Sequence, residues 1–474
     1  MIRALTSSAL SGLIRTVLQF ATVAFIATFI KAADYGLYAL ALPFAILTTI
    51  LFDAGFGPLI VRPATIERRM VSSLHALALA VGVLSVAMLV AISFGVGAFF
   101  PDPRLPVALR VMAFVPLLGL AAAVPRAVLE RELRYDTIAK VEVLALAISS
   151  AVAIACAFAK IGVWSLFVLS FGQALIRCGS FNAIRRIGLN GSLDDIGAIY
   201  SDGKWITLQN IQVYINRNLD NVLVGAYLGT AVLGVYALAY QVVLVPLQAI
   251  AWPFGAVLMS QLRRLEDPDS RTKALNGVLL LTLWLTAPAL SVAAVLCPEM
   301  VALYLKPSWR DLPFLFGVLS LSCVLQVLGS FYGVLLISSG QLRLNFLIGI
   351  FNTICLSLIF VISTMLFDIS VMVLAYAVYN GIFGVSLLVL SYRRAGSRLT
   401  SYLDELLPPL LCAVIIYLCG VRMRSILPEA SLQELIMYKS SVCGVILVAA
   451  GVTQMSTIKS LVSILGDKVS EQRG

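Results

Sequence analysis

Apolar runs of about twenty residues, broken at short intervals by a few polar ones, set the rhythm of this chain from end to end. A hydrocarbon layer of roughly 30 Å takes about 20 residues of α-helix to cross. Fourteen such runs can be marked, at 8–30, 35–58, 72–99, 106–128, 138–158, 162–182, 205–228, 231–256, 275–297, 312–338, 344–366, 369–391, 405–421 and 437–457. The connections between them are short, so consecutive helices run antiparallel. The pattern predicts an all-α polytopic membrane protein of about 14 transmembrane helices, or 12 if the last two, which are poorly patterned, are set aside. Pro43, Pro116, Pro125, Pro246, Pro253 and Pro288 fall inside runs and are expected to bend them.

One string recurs. Gly36-Leu37-Tyr38-Ala39-Leu40-Ala41 opens the second run and Gly234-Val235-Tyr236-Ala237-Leu238-Ala239 opens the eighth, 198 residues and six helices later. Six is even, so both copies point the same way through the bilayer, a parallel repeat of the kind some secondary transporters carry. The expected organisation is a six-helix lobe over 1–190, a second over 191–400, a central cavity between them, and two further helices with a cytoplasmic tail over 401–474.

Composition narrows the class. Of 474 residues, 60% are hydrophobic and 12% charged, about half the charged share of a soluble domain, and no polar stretch is long enough for a soluble catalytic domain. The net charge of +10 does not point to nucleic acid, because the basic residues sit in short loops without an aromatic-interleaved patch. They follow the positive-inside bias instead. One set of alternate connections holds 22 Lys and Arg and the other seven, which places both termini in the cytoplasm. The N-terminal "MIRALTSSALSGLIRTVLQF" is interrupted by Arg15 and lacks a small-residue cleavage site, so it reads as an uncleaved first helix. The eight cysteines have no metal-ligand spacing. Arg110, Arg177 and Lys439 lie near helix ends and are expected to snorkel, and His75 and Trp309 read as interface residues.

Deep charges are the exception. In the seventh run Asn210, Tyr214, Arg217 and Asn221 step by four, three and four, one helix face, with Asp220 a turn from Arg217. A charge near the bilayer centre costs at least about 2.5–3.5 kcal/mol, so these side chains must face protein or water. Either Arg217 and Asp220 neutralise each other, or the face is a polar wall offering a cation to a ligand. The first run repeats the theme with Ser8, Ser11, Arg15, Gln19 and Thr22, while Asp53 and Glu142 lie at similar depth in the second and fifth. Arg15 either pairs with one of these acids or shares in an ion-coupled switch, driven by protons or sodium. Guanidinium forks match phosphate oxygens, and Asn, Gln and Tyr suit sugar hydroxyls. The candidate substrate site is therefore Arg15, Gln19, Asn210, Tyr214, Arg217, Asp220 and Asn221, with Asp53 and Glu142 as candidates for ion coupling or charge pairing, no metal and no cofactor.

"ADYGLYALALP" (33–43), "LFDAGFGPLIVR" (51–62), "VLERELRYDTIAKVEVL" (128–144), "NLDNVLVGAYLGTAVLGVYALAYQ" (218–241) and "LISSGQLRLNFLIGI" (336–350) resemble the polysaccharide-transport branch of the MOP flippase superfamily, the O-antigen and exopolysaccharide flippases. The resemblance spans roughly residues 1–400. It implies an inner-membrane protein, not an enzyme, that moves an undecaprenyl-diphosphate-linked oligosaccharide to the periplasmic leaflet by alternating access. It would work beside the glycosyltransferases and the polymerase of its pathway. Arg15, and Arg217 with Asp220, match the family's first- and seventh-helix polar sites. The competing expectation is an ion-coupled exporter of small cations, the MATE-type role, which wants acidic walls. A membrane glycosyltransferase is disfavoured by outer connections of only about 14–15 residues.

Overall fold

A computed structural model describes residues 2–52, 60–61, 66–189, 197–262, 265, 267–395 and 399–453. Fourteen helices run through these residues. They are α1 (Ile2–Phe29), α2 (Ala32–Phe52), α3 (Arg68–Gly95), α4 (Leu105–Arg131), α5 (Tyr135–Phe158), α6 (Trp164–Ile184), α7 (Gly197–Tyr227), α8 (Gly229–Leu262), α9 (Pro268–Tyr304), α10 (Pro307–Ser338), α11 (Leu342–Leu366), α12 (Ile369–Ala395), α13 (Leu403–Ile426) and α14 (Leu432–Thr453). Each matches one apolar run, and the all-α polytopic fold expected from the pattern is the one found. Only a helix satisfies its own backbone in lipid. Eleven of the fourteen are long and apolar enough to cross a membrane. The three below that mark are α1, α6 and α7, which between them carry Arg15, Arg177 and the asparagine-rich face.

Two of the prolines inside the runs lie at interruptions of the α-helical pattern. Pro246 leads into one π-helical turn, Leu247–Ala251, inside α8, the usual consequence of a proline that cannot donate to the turn before it. α4 is interrupted at Ala113, three residues before Pro116. α7 and α8 are joined by a tight turn that needs Gly229 at φ +84°, a backbone conformation that costs glycine nothing.

The chain folds as two compact units, Met1–Leu238 with Thr353–Ile369, and Ala239–Asn352 with Ser370–Gly474. In the first, α5 packs between α1 and α6, α3 lies on α4, and α2 crosses α7. The repeated motif sits at a crossing of its own two copies. A Cβ on Gly36 would lie 1.7 Å from the Thr230 carbonyl oxygen, and a Cβ on Gly234 would lie 1.8 Å from that of Ala32. Each glycine thus receives the carbonyl four residues before the other, so the contact is reciprocal and excludes any side chain. At the same end, the Arg104 guanidinium binds Asp102 at 2.9 Å and Asp34 at 2.6 Å, and the Thr230 hydroxyl donates to Asp102 at 3.0 Å. Burial pushes the Asp102 carboxyl up, but the bonds from Arg104 and Thr230 outweigh it and hold the group below its ordinary value.

In the second unit α9 is the hub, packed against α10, α13 and α14. Val295, Cys412, Ile416 and Cys443 form its core with α13 and α14. Lys439 does not snorkel. It is buried, its ammonium 2.9 Å from Glu299 and 3.0 Å from the Val295 carbonyl oxygen, because a partner acid waits on α9. Trp309 is fully buried and His75 nearly so, so neither is the interface residue its position suggested.

Candidate functional site

Glu142 lies on the buried stripe of α5, in step with Ile138, Ala145, Ser149 and Ala153. A lone carboxylate there would be prohibitive, and three arginines answer it. Arg15 Nη1 on α1 approaches Oε2 to 2.9 Å, Arg177 Nη2 on α6 reaches the same oxygen at 3.1 Å, and Arg126 Nε on α4 lies 3.9 Å from Oε1. Arg126 also pairs with Glu130 one turn on, at 3.2 Å. The Glu142 side chain is only 7% exposed, while those of Arg15, Arg126 and Arg177 keep 40%, 47% and 34%. Arg177 Nη2 also donates to Gln173, and its Nε is buried with no partner.

The scaffold explains why the charges meet. α1 and α5 run parallel, and seven residues beyond Arg15 the Thr22 hydroxyl donates to Ser150, eight beyond Glu142, at 2.9 Å. Gly172 lets α6 close on α5, since a Cβ there would lie 2.8 Å from the Ser149 hydroxyl. Glu142 and Arg177 are each seven residues from a helix end, about 10 Å along the axis, and Arg15 is midway along α1. Measured along the helix axes, the Glu142 and Arg177 positions therefore lie about two turns from those ends.

The polar face of α7 has partners of its own. Asp220 is buried, its carboxylate taken by the Tyr236 hydroxyl at 2.6 Å and the Asn221 backbone N–H at 2.9 Å. Tyr236 belongs to the repeated motif, and its counterpart Tyr38 shares a hydrogen bond with Ser170 at 2.7 Å. The Tyr214 hydroxyl donates to the Pro43 carbonyl oxygen at 3.0 Å, and Gln212 donates to Thr353 at 3.2 Å. Asn216 and Asn221 each leave a side-chain oxygen buried without a partner. Arg217 and Gln19 are exposed and Asn210 is half-buried. Asp53 lies outside the described residues.

Of the sequence candidates, the structure brings Arg15 and Glu142 together and gives Asp220 to Tyr236. Two members of the cluster escaped the sequence reading. Arg126 counted toward the cytoplasmic charge, and Arg177 counted as a snorkelling residue. Arg177 instead turns inward, because a buried carboxylate lies within reach. The Gln173–Arg177 spacing of four, a polar pair on one face of an apolar helix, is the signal that could have found it.

The profile of a family described as "Polysaccharide biosynthesis protein" matches residues 25–313, well over half of the chain. This chain belongs to that family. Lipopolysaccharide biosynthesis protein WzxC of Escherichia coli (strain K12) is 24% identical over 73% of this chain and 71% of its own length. Among solved structures, the lipid II flippase MurJ in an inward closed conformation aligns with a TM-score of 0.70 at 16% identity, covering 96% of this chain and 98% of that one. An inward-facing multidrug resistance MATE family transporter of the MOP superfamily aligns at 0.60 and 14% identity, over 82% and 98%. The fold is thus that of the superfamily to which the sequence motifs pointed, and the family member is a multi-pass membrane protein.

Proposed function

We propose that this protein is a flippase that carries an undecaprenyl-diphosphate-linked oligosaccharide from the cytoplasmic to the periplasmic leaflet of the inner membrane by alternating access. The product would enter O-antigen, capsule or exopolysaccharide synthesis. The observation that carries the reading is the gathering of Arg15, Arg126 and Arg177 around one buried carboxylate, that of Glu142. Three guanidinium forks held at bilayer depth suit a diphosphate, which they can bind bidentately. The neutral donors and acceptors of the α7 face, Asn210, Tyr214 and Asn221 beside Arg217, suit its sugars. Family membership and the names of WzxC and MurJ support the same cargo class. An exporter of small cations shares the fold, but a net-positive cluster repels such cargo. Both termini are assigned to the cytoplasm on the charge count, and coupling to protons or sodium is kept as part of the proposal.

The test is reconstitution. Full-length protein in liposomes, given a fluorescent lipid-linked oligosaccharide in one leaflet, should move it to the other, and imposing a proton or sodium gradient should change the rate if transport is coupled. Arg15→Ala and Arg217→Ala should abolish movement, and surface polysaccharide in cells, while the protein still reaches the membrane. Normal polysaccharide output from both variants would overturn the reading.

A further inference from the structure

Two guanidinium groups, from Arg15 and Arg177, bind a single oxygen of Glu142 at 2.9 and 3.1 Å. Their nitrogens are therefore at most about 6 Å apart, a separation at which two cations repel unless an anion stands between them. The oxygen occupies a point that two guanidinium groups can reach together. Arg177 Nε, buried and unpartnered, is a further donor that the carboxylate does not satisfy. Exposure is lopsided: the acid is sealed in, whereas each arginine keeps at least a third of its side chain open.

We propose that Glu142 is an internal anion that holds the arginine site in register when empty and is displaced from the guanidinium groups when a diphosphate binds. This deepens the function proposed above and rests on it for the identity of the cargo. Charge supports the exchange. Arg15, Arg126 and Arg177 with Glu130 and Glu142 sum to +1, and without Glu142 to +2, equal and opposite to a diphosphate diester. A ligand that offers several oxygens can also reach Arg177 Nε and Arg126 together, which one carboxylate does not. Glu142 would thereby set both selectivity and release: monoanions gain too little to displace it, and its return helps expel the diphosphate.

The experiment measures binding of inorganic pyrophosphate, and separately of farnesyl diphosphate, to the detergent-solubilised full chain by titration calorimetry. Glu142→Gln keeps shape and removes charge. It should tighten binding by about tenfold or more, the low end of what a close desolvated charge pair is worth, and slow dissociation. Adding Arg177→Ala to that variant should reverse the gain. Tightening with both probes means that the diphosphate suffices, and tightening with farnesyl diphosphate alone means that the lipid is also read; either sustains the exchange. Unchanged or weaker binding overturns it and leaves Glu142 as the organiser of the arginines. Should the glutamine variant fail to fold, Glu142→Asp takes its place, with a smaller rise in affinity expected because the shortened carboxylate reaches the two forks less well. Binding to solubilised protein involves no leaflet exchange. A failed flipping assay with the tightening intact therefore rejects the cargo, and the converse rejects only the displacement.

Discussion

A buried charge asks for a partner, and this chain answers in three ways that separate by experiment. Asp220 is answered by a neutral hydroxyl. Tyr236→Phe removes the side-chain hydroxyl that donates to its carboxylate and should cost about 1.5–3 kcal/mol, read as a lowered melting temperature in detergent. Glu299 is answered by a single ammonium with both groups sealed from solvent. Lys439→Met leaves that carboxylate unpaired and should cost about 3–5 kcal/mol, whereas Lys439→Met with Glu299→Leu should recover most of it; a double variant as unstable as the single would exclude the pair as the cause. Glu142 is answered by three cations, more than neutralisation needs, and that excess separates a ligand site from a structural pair. From sequence, Arg15 and Glu142 stand out because charge inside an apolar run is costly whatever surrounds it. Arg126, Arg177 and Lys439 do not, because a basic residue near a helix end can reach water or turn inward, and only the packed neighbour decides.

The helices themselves were legible to within about two turns at most ends, with α7 beginning eight residues before its apolar run, since in lipid an apolar run sets the least length of a helix and not the greatest. The crossings were not. The Gly36 and Gly234 strings were visible as a repeat, yet nothing in their spacing says that they touch. Gly36→Ala or Gly234→Ala places a methyl carbon less than 2 Å from a carbonyl oxygen. Each should cost at least about 1–3 kcal/mol by forcing the helices apart, checked by thermal unfolding followed by size-exclusion of the solubilised protein. The loop between α3 and α4 adds a pH-dependent contribution at the same end. The carboxyl of Asp102 is held below its ordinary value by Arg104 and Thr230, so its stabilisation is fully present above an unfolded value of about 3.9 and is lost as pH falls through the folded one. The stability gap between the parent and Asp102→Asn should be level from about pH 8 to 5 and close on further acidification.

At the scale of the whole chain, orientation rests on charge: 22 basic residues at one set of connections, or 21 once Arg126 is given to the Glu142 cluster, and seven at the other. In a background freed of its eight cysteines, Ser308→Cys should react with a membrane-impermeant maleimide in intact cells and Gly188→Cys only after lysis; the reverse pattern would invert the topology. The fold, the helix number up to the last two helices, and the existence of buried charge could be read from the sequence, because each is enforced by the bilayer. Which arginines gather around that charge could not, because it depends on the register of four helices against one another. The reciprocal crossing of Gly36 and Gly234 carries a last consequence. Its form is isologous: the same residues of two copies, each meeting the other's, as a two-fold dimer makes with itself. Because each copy meets the equivalent backbone oxygen of the other, neither can change alone, and a side chain added at either glycine displaces both helices by a like amount.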